Sequence, residues 1–212
     1  MPKPVLYPAI LSKSYKDYAY KIRESTKHFK GVHIDVMDGK FVRNKTYSDM
    51  KKIRELRPKK IFFDIHLMVK DPISAILEWA DIGDRFLVHV ESCDNIPAVV
   101  QLVKGMQKKI GLVVNPKTPV SKVYSYLKDI DAVMIMSIVP GKSGQPFIPS
   151  TLRKVRALKK RNEKFHIAID GGVNTDTFGD IIAAGVDTFS IGSFIWSGKP
   201  LGALKKELLS SL

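Results

Sequence analysis

Residues 31–41 read GVHIDVMDGKF, Gly31 to Phe41. Val32, Ile34 and Val36 are apolar and β-branched at every second position, which marks a strand. The positions between them hold His33 and Asp35, and Asp38 follows at once. Residues two apart on a strand point the same way, so an imidazole and a carboxylate share one face of a segment whose other face is apolar. Burying an unpaired charge is costly, so that face needs a compensating partner.

The same grammar recurs along the chain. Candidate strands are VLYPAI (5–10), VHIDV (32–36), IFFDIHL (61–67), RFLVHV (85–90), IGLVVN (110–115), AVMIMSI (132–138), HIAID (166–170) and TFSIG (188–192). Amphipathic stretches lie between them. SKSYKDYAYKIRESTKHF places Tyr15, Tyr18, Ala19 and Ile22 at helical spacing. DPISAILEWADIG opens on Asp71 and Pro72, a capping residue and a first-turn proline, and ends near Gly83. TPVSKVYSYLKD, PSTLRKVRALKKRN and NTDTFGDIIAAG follow the same plan and are expected to be helices. Repeated strand–helix units imply a parallel sheet. VLYPAILSKS lacks the glycine-rich turn that an open doubly wound sheet usually carries after its first strand. Eight units in 212 residues fit a compact (β/α)8 TIM barrel, near the lower end of that fold's range of about 200 residues. No linker or composition break interrupts the chain, so residues 1–212 read as one domain.

In such barrels chemistry sits at the C-terminal ends of the strands. His33 and Asp35 are expected to close strand two, His66 strand three and Asp170 strand seven. Two imidazoles and two carboxylates suit one divalent ion, Zn²⁺ or Fe²⁺ and also Mn²⁺ or Co²⁺. His89 and Glu91 close strand four; His89 and His166 are read as structural. A second signal follows strands six and eight. Gly141 and Gly144 in SIVPGKSGQPF and Gly192 and Ser193 in SIGSF offer backbone N–H groups free of bulky side chains, and Gly171 and Gly172 in IDGG add a third flexible backbone, a setting suited to phosphate. A metal on one side and a phosphate site on the other fit a sugar phosphate, with two carboxylates that can exchange protons with carbon. No nicotinamide fingerprint, phosphate-loop motif or strand-end Schiff-base lysine stands out.

The composition bounds the alternatives. Lys and Arg number 35 against 21 Asp and Glu, a formal charge of +14. The basic runs MKKIRELRPKK and KVRALKKRNEK read as solvated helix faces. They are not interleaved with the aromatics of a base-stacking platform, so no nucleic-acid partner is expected. No apolar run is long enough for a membrane span. Cys93 is the single cysteine, and MPKPVLYPAI lacks a secretory core, so a cytoplasmic protein is expected.

The motifs HIDVMDGKFV, DIHLMV, NPKTP, MIMSIVPGKSGQPF, IDGGVN and SIGSF, in this order, resemble the ribulose-phosphate 3-epimerase family across nearly the full length. The resemblance implies a (β/α)8 barrel that interconverts D-ribulose 5-phosphate and D-xylulose 5-phosphate in the pentose phosphate pathway. It implies metal ligation by His33, Asp35, His66 and Asp170, with Asp35 and Asp170 as the acid–base pair. His66 and the three glycine-bearing turns would contact substrate, and Met37, Met68 and Met136 would wall the site. It implies no nicotinamide or flavin, a small sugar-phosphate substrate and room for a homo-oligomer. The chain departs from the family pattern at Ala9, where a serine is usual, at Lys142-Ser143 inside the phosphate loop, and at Lys40 and Arg43. Two alternatives remain: an epimerase of a longer ketose phosphate such as D-allulose 6-phosphate, and a non-catalytic binding protein on the same scaffold. A related decarboxylase or aldolase site with Asp-x-Lys-x-x-Asp would need a lysine where Val36 or Met37 stands.

Overall fold

The alternation of short β-branched runs with capped amphipathic segments is realised in a computed structural model, which describes residues 3–161 and 164–211. The strands are β1 (Val5–Ile10), β2 (Gly31–Met37), β3 (Phe62–Met68), β4 (Arg85–His89), β5 (Lys109–Val114), β6 (Ala132–Met136), β7 (His166–Asp170) and β8 (Thr188–Ile191). All neighbouring pairs are parallel, and β8 returns to β1 to close the barrel. The helices are α1 (Tyr15–His28), α2 (Met50–Glu55), α3 (Pro72–Trp79), α4 (Ile96–Gly105), α5 (Leu152–Lys159), α6 (Thr175–Ala184) and α7 (Leu201–Ser210). Asn162, at the end of the reading of α5, and the extreme residues of the 1–212 domain lie outside the described residues.

Local chemistry sets the helix starts. Ser14, Asp49, Asp71 and Asn95 each accept a backbone N–H of the first turn through the side chain. Asn174 forms a capping box with Thr177, and Gly185, at φ 102°, ends α6 in the left-handed conformation. One expected helix is different. TPVSKVYSYLKD forms a 3-10 helix over Val120–Tyr126. Val120, Val123 and Tyr126 repeat every third residue, the stripe that a three-residue turn stacks, and all three pack on the core. β-branched and aromatic residues also disfavour the α-form.

Two cores result. The larger lies between strands and helices and is built from the outward strand residues. The smaller fills the barrel interior with Leu87, Val113, Ala132, Met134, Met136, Ile138 and Ala168. The interior is therefore apolar along β5 and β6, and along β7 as far as Ala168, with Asp170 above it at the strand end. Along β2–β4 the inward positions hold His33, Asp35, Asp64, His66, Arg85 and His89, all buried. The register sets Asp64 beside His33 and Arg85, and His66 beside Asp35.

Candidate active site in the barrel mouth

His33 is the third of the seven residues of β2. It therefore lies one layer deeper than Asp35 and does not close the strand, contrary to the sequence reading; Asp35 and His66 each stop two residues short of the end of β2 and β3, and Asp170 alone of the four closes its strand. The expected shared face holds. His33, Asp35, His66 and Asp170 each offer a ligand atom, and these atoms lie within 4.8 Å of one another. His66 Nδ1 is 3.0 Å from Asp35 Oδ1 and 3.7 Å from Asp170 Oδ2. His33 Nε2 is 3.6 Å from Asp35 Oδ1. Residues 31 positions and more apart in sequence thus converge through strand register.

The cluster fits a cation. His33 Nε2 is buried and has no hydrogen-bond partner among the described residues, an unusual state for a buried ring nitrogen. His33 Nδ1 lies 3.0 Å from Asp64 Oδ2. Asp64 also accepts two N–H groups of Arg85, at 2.7 and 2.9 Å, and an ionised carboxylate only accepts. The proton of neutral His33 therefore sits on Nδ1, and the Nε2 lone pair faces Asp35. Two imidazole nitrogens and two carboxylates form a donor set for zinc, iron and similar divalent ions.

The charges are tuned by burial and by each other. Burial pushes the Asp35 carboxyl up, to about 6, against the opposing pull of His33. Burial also raises Asp170, and the charge of Asp35 raises it further. For His33 burial works downward, but the hydrogen bond and charge of Asp64, with Asp170 and Asp35, push the ring up to about 9. His66 is driven well below its usual value, first by burial and then by His89 and His33. Without an ion, His33 therefore carries a second ring proton below about 9, and Asp35 a proton below about 6. A divalent ion must displace them. Its affinity is expected to rise with pH by about tenfold per unit across the window from about 6 to about 9, and more steeply below it. Zinc titrations at several pH values read this directly; a flat profile would contradict the protonated free site.

Beside the cluster lies a cavity lined by Asp35, Asp170, Met37, Met68, Met136 and the three glycine-bearing turns. Gly141–Gly144, Gly171, Gly172, Gly192 and Ser193 all border it, so the structure brings every sequence-predicted site residue either to this cavity or to the cluster at its floor. Four of these glycines, Gly141, Gly144, Gly171 and Gly172, have positive φ and cannot be replaced freely. Gly171 has φ 107°, and a Cβ there would overlap the Ile138 side chain; Gly172 has φ 66°, and its Cβ would lie 2.8 Å from the Phe147 backbone. The bare backbone that results is what an anion-binding turn needs. Two of the departures sit here too: Ala9 and the Lys142-Ser143 pair line the same cavity, whereas Lys40 and Arg43 do not.

Sequence reasoning missed four participants. Asp64 and Arg85 form the buried pair behind His33. Ser137 donates its backbone N–H to the carbonyl of Asp170 at 2.8 Å and its hydroxyl to that of Gly171 at 2.6 Å, and so fixes the turn that carries Asp170. His89 lies directly against His66, with Nε2 atoms 2.9 Å apart. Ser137, Asp64 and Arg85 do carry one signal, a polar residue in an otherwise apolar strand.

Comparison with known proteins gives a consistent result. The profile of the Ribulose-phosphate 3 epimerase family matches residues 5–196. The chain is 36% identical over 197 residues to the ribulose-phosphate 3-epimerase of Bacillus subtilis (strain 168), covering 89% of this chain and 90% of that one. It is 34% identical over 223 aligned positions to the ribulose-phosphate 3-epimerase of Escherichia coli (strain K12), covering 100% of this chain and 97% of that one. Among solved structures, KGPDC from Streptococcus mutans superposes with a TM-score of 0.71 at 16% identity, over 98% of this chain and 96% of that one. A 3-hexulose-6-phosphate synthase superposes with 0.66 at 16% identity, over 99% of each chain. The structural likenesses speak for the fold alone. Full-length sequence similarity and the matching profile make this chain a member of the ribulose-phosphate 3 epimerase family, a family of isomerases.

Proposed function

We propose that the protein is a ribulose-5-phosphate 3-epimerase, acting in the cytoplasm within the pentose phosphate pathway. One observation carries this reading. Asp35 and Asp170, from strands three places apart around the ring, border one methionine-walled cavity that bare glycine backbone also lines.

The phosphate of the substrate binds at Gly141–Gly144, Gly171, Gly172, Gly192 and Ser193, and Lys142 adds positive charge at that end. The sugar carbons then extend toward Asp35 and Asp170. One carboxylate removes the C3 proton. The planar enediolate that follows has two faces, and the other carboxylate, protonated, delivers a proton to the opposite one. C3 is inverted, no redox change occurs, and the roles of the two acids exchange in the reverse direction. The raised affinity of both carboxyls for protons brings them closer to the range in which a group both takes and gives a proton near neutral pH. Met37, Met68 and Met136 keep water from supplying a stray proton. His33, Asp35, His66 and Asp170 would hold a divalent ion, zinc or iron first by donor type, which supplies positive charge beside the reacting oxygens.

The decisive assay is D-ribulose 5-phosphate in D₂O, followed by NMR. Deuterium is expected at C3 of both the returned substrate and D-xylulose 5-phosphate. No incorporation rules out the enediolate. D-Allulose 6-phosphate run in parallel, with kcat/KM compared, identifies the better ketose.

A further inference from the structure

His89 is a third imidazole of the barrel interior, fully buried, and the proposed chemistry leaves it without a task. Its Nε2 lies 2.9 Å from His66 Nε2, and the two rings stack with centroids 5.0 Å apart. Its Nδ1 is 3.2 Å from Glu91 Oε2. The other oxygen of Glu91 accepts the backbone N–H of Asn115 at 2.9 Å. Burial pushes the Glu91 carboxyl up, but His89, Thr118 and Asn115 outweigh it and hold the group at about 2. The loop that supplies these last two donors is itself tied down. Lys154, on α5, donates to the carbonyls of Asn115, Pro116 and Thr118 at 2.6, 2.8 and 2.6 Å.

Proton counting along this chain has one solution for neutral rings. An ionised carboxylate only accepts, so His89 carries its proton on Nδ1. Its Nε2 is then an acceptor, and His66 Nε2 must be the donor. His66 Nδ1 is left with a lone pair, facing Asp35 Oδ1 at 3.0 Å. Two acceptors at that separation repel unless a proton held by Asp35 or a metal cation lies between them. We infer that His89 and Glu91 are a positioning relay that fixes His66 as the Nε2–H tautomer and aims its Nδ1 lone pair at a divalent ion. This rests on the reading of the cluster as an ion site. It adds that the two imidazoles are oriented by different means: His33 directly by a carboxylate, His66 by a carboxylate acting through a second ring. Outer partners of this kind hold the ring orientation and raise its basicity, and their loss typically costs about 10- to 100-fold in metal affinity.

Two measurements test the relay. The zinc-loaded full chain, ¹⁵N-labelled at histidine, reports tautomers through two-bond ¹H–¹⁵N couplings. His66 is expected with its proton on Nε2, and His89 neutral with its proton on Nδ1. A doubly protonated His89, or a His89 protonated on Nε2, overturns the relay. Zinc affinity is then measured by chelator competition in His89→Leu and His89→Gln. The leucine offers no acceptor and is expected to lose about 10- to 100-fold, while the glutamine carbonyl stands near the former Nε2 and restores most of it. Equal affinities in both variants and the parent overturn the relay alone. No zinc uptake by the parent overturns the ion site and the relay together, and C3 exchange is scored independently of either. Should the leucine variant not fold, the tautomer spectrum of the parent chain decides.

Discussion

Asp35→Asn and Asp170→Asn are each expected to lower kcat for ribulose 5-phosphate by about 10³-fold or more, with the barrel intact. A positioned acid or base is typically worth about 10²- to 10⁴-fold, and each residue here also belongs to the ion cluster. The amide is close in shape, so packing is kept. Burial penalises both carboxylates in the ion-free protein, so removing one relieves a cost. At neutral pH the melting temperature of the ion-free variants should therefore not fall. The sign follows from linkage: a carboxyl raised in the folded state destabilises it above that raised value and ceases to do so as pH falls. The sharper readout is solvent exchange. With two acids on opposite faces, each variant should still wash deuterium slowly into C3 of one epimer and not of the other. Opposite preferences in the two variants are expected. Near-normal turnover in either, or the same preference in both, would sink the two-acid scheme.

Asp64→Ala is expected to destabilise the protein by about 3–5 kcal/mol, the usual loss when a buried ion pair is broken from one side. Asp64 is fully buried and receives Nε and Nη2 of Arg85 at 2.7 and 2.9 Å. Burial alone would raise its carboxyl, but the charge of Arg85 and the hydrogen bond from His33 hold it well below the usual range. That stabilisation is present above the unfolded carboxylate range and is lost only as pH falls through the depressed folded value, so it is fully in force at neutral pH. Without Asp64 the Arg85 guanidinium is stranded in the barrel interior. For a chain of this length each kcal/mol corresponds to about 2–4 °C, so the melting temperature should drop by roughly 6–20 °C. The double replacement Asp64→Leu with Arg85→Met should recover most of the loss. Thermal and urea unfolding measure both; a single-variant loss below about 1 kcal/mol would mean that water already reaches Arg85.

Much of this was legible in the chain, for identifiable reasons. β1 and β7 were placed at their observed limits, because VLYPAI and HIAID are bounded by helix caps and polar turns. The four cluster residues were found because each interrupts an apolar strand. Their depth was not: a one-dimensional reading has no barrel stagger, and it is the continuation of β2 to Met37 that leaves His33 below the rim. Asp64 sits two residues before His66 and looks like part of a ligand set. Its true partner, Arg85, is 21 residues on and opens a strand, where an arginine ordinarily reads as solvated. The role of His89 depends on how β3 and β4 align, with His66 opposite Leu87, and no local spacing encodes that. The 3-10 segment was missed because three-residue and four-residue periodicities coincide over so few turns.

The barrel has no free seam. β8 hydrogen-bonds to β1, and the cluster gathers side chains from β2, β3 and β7, which lie on either side of that junction. A bound ion would act as a clasp: any opening of the hoop between β7 and β2 would surrender its grip. Ion uptake is therefore coupled to the cooperativity of the entire hoop, and resistance to unfolding should climb with the logarithm of free ion concentration. Scarcity of the ion would then slacken the scaffold as well as silence the chemistry.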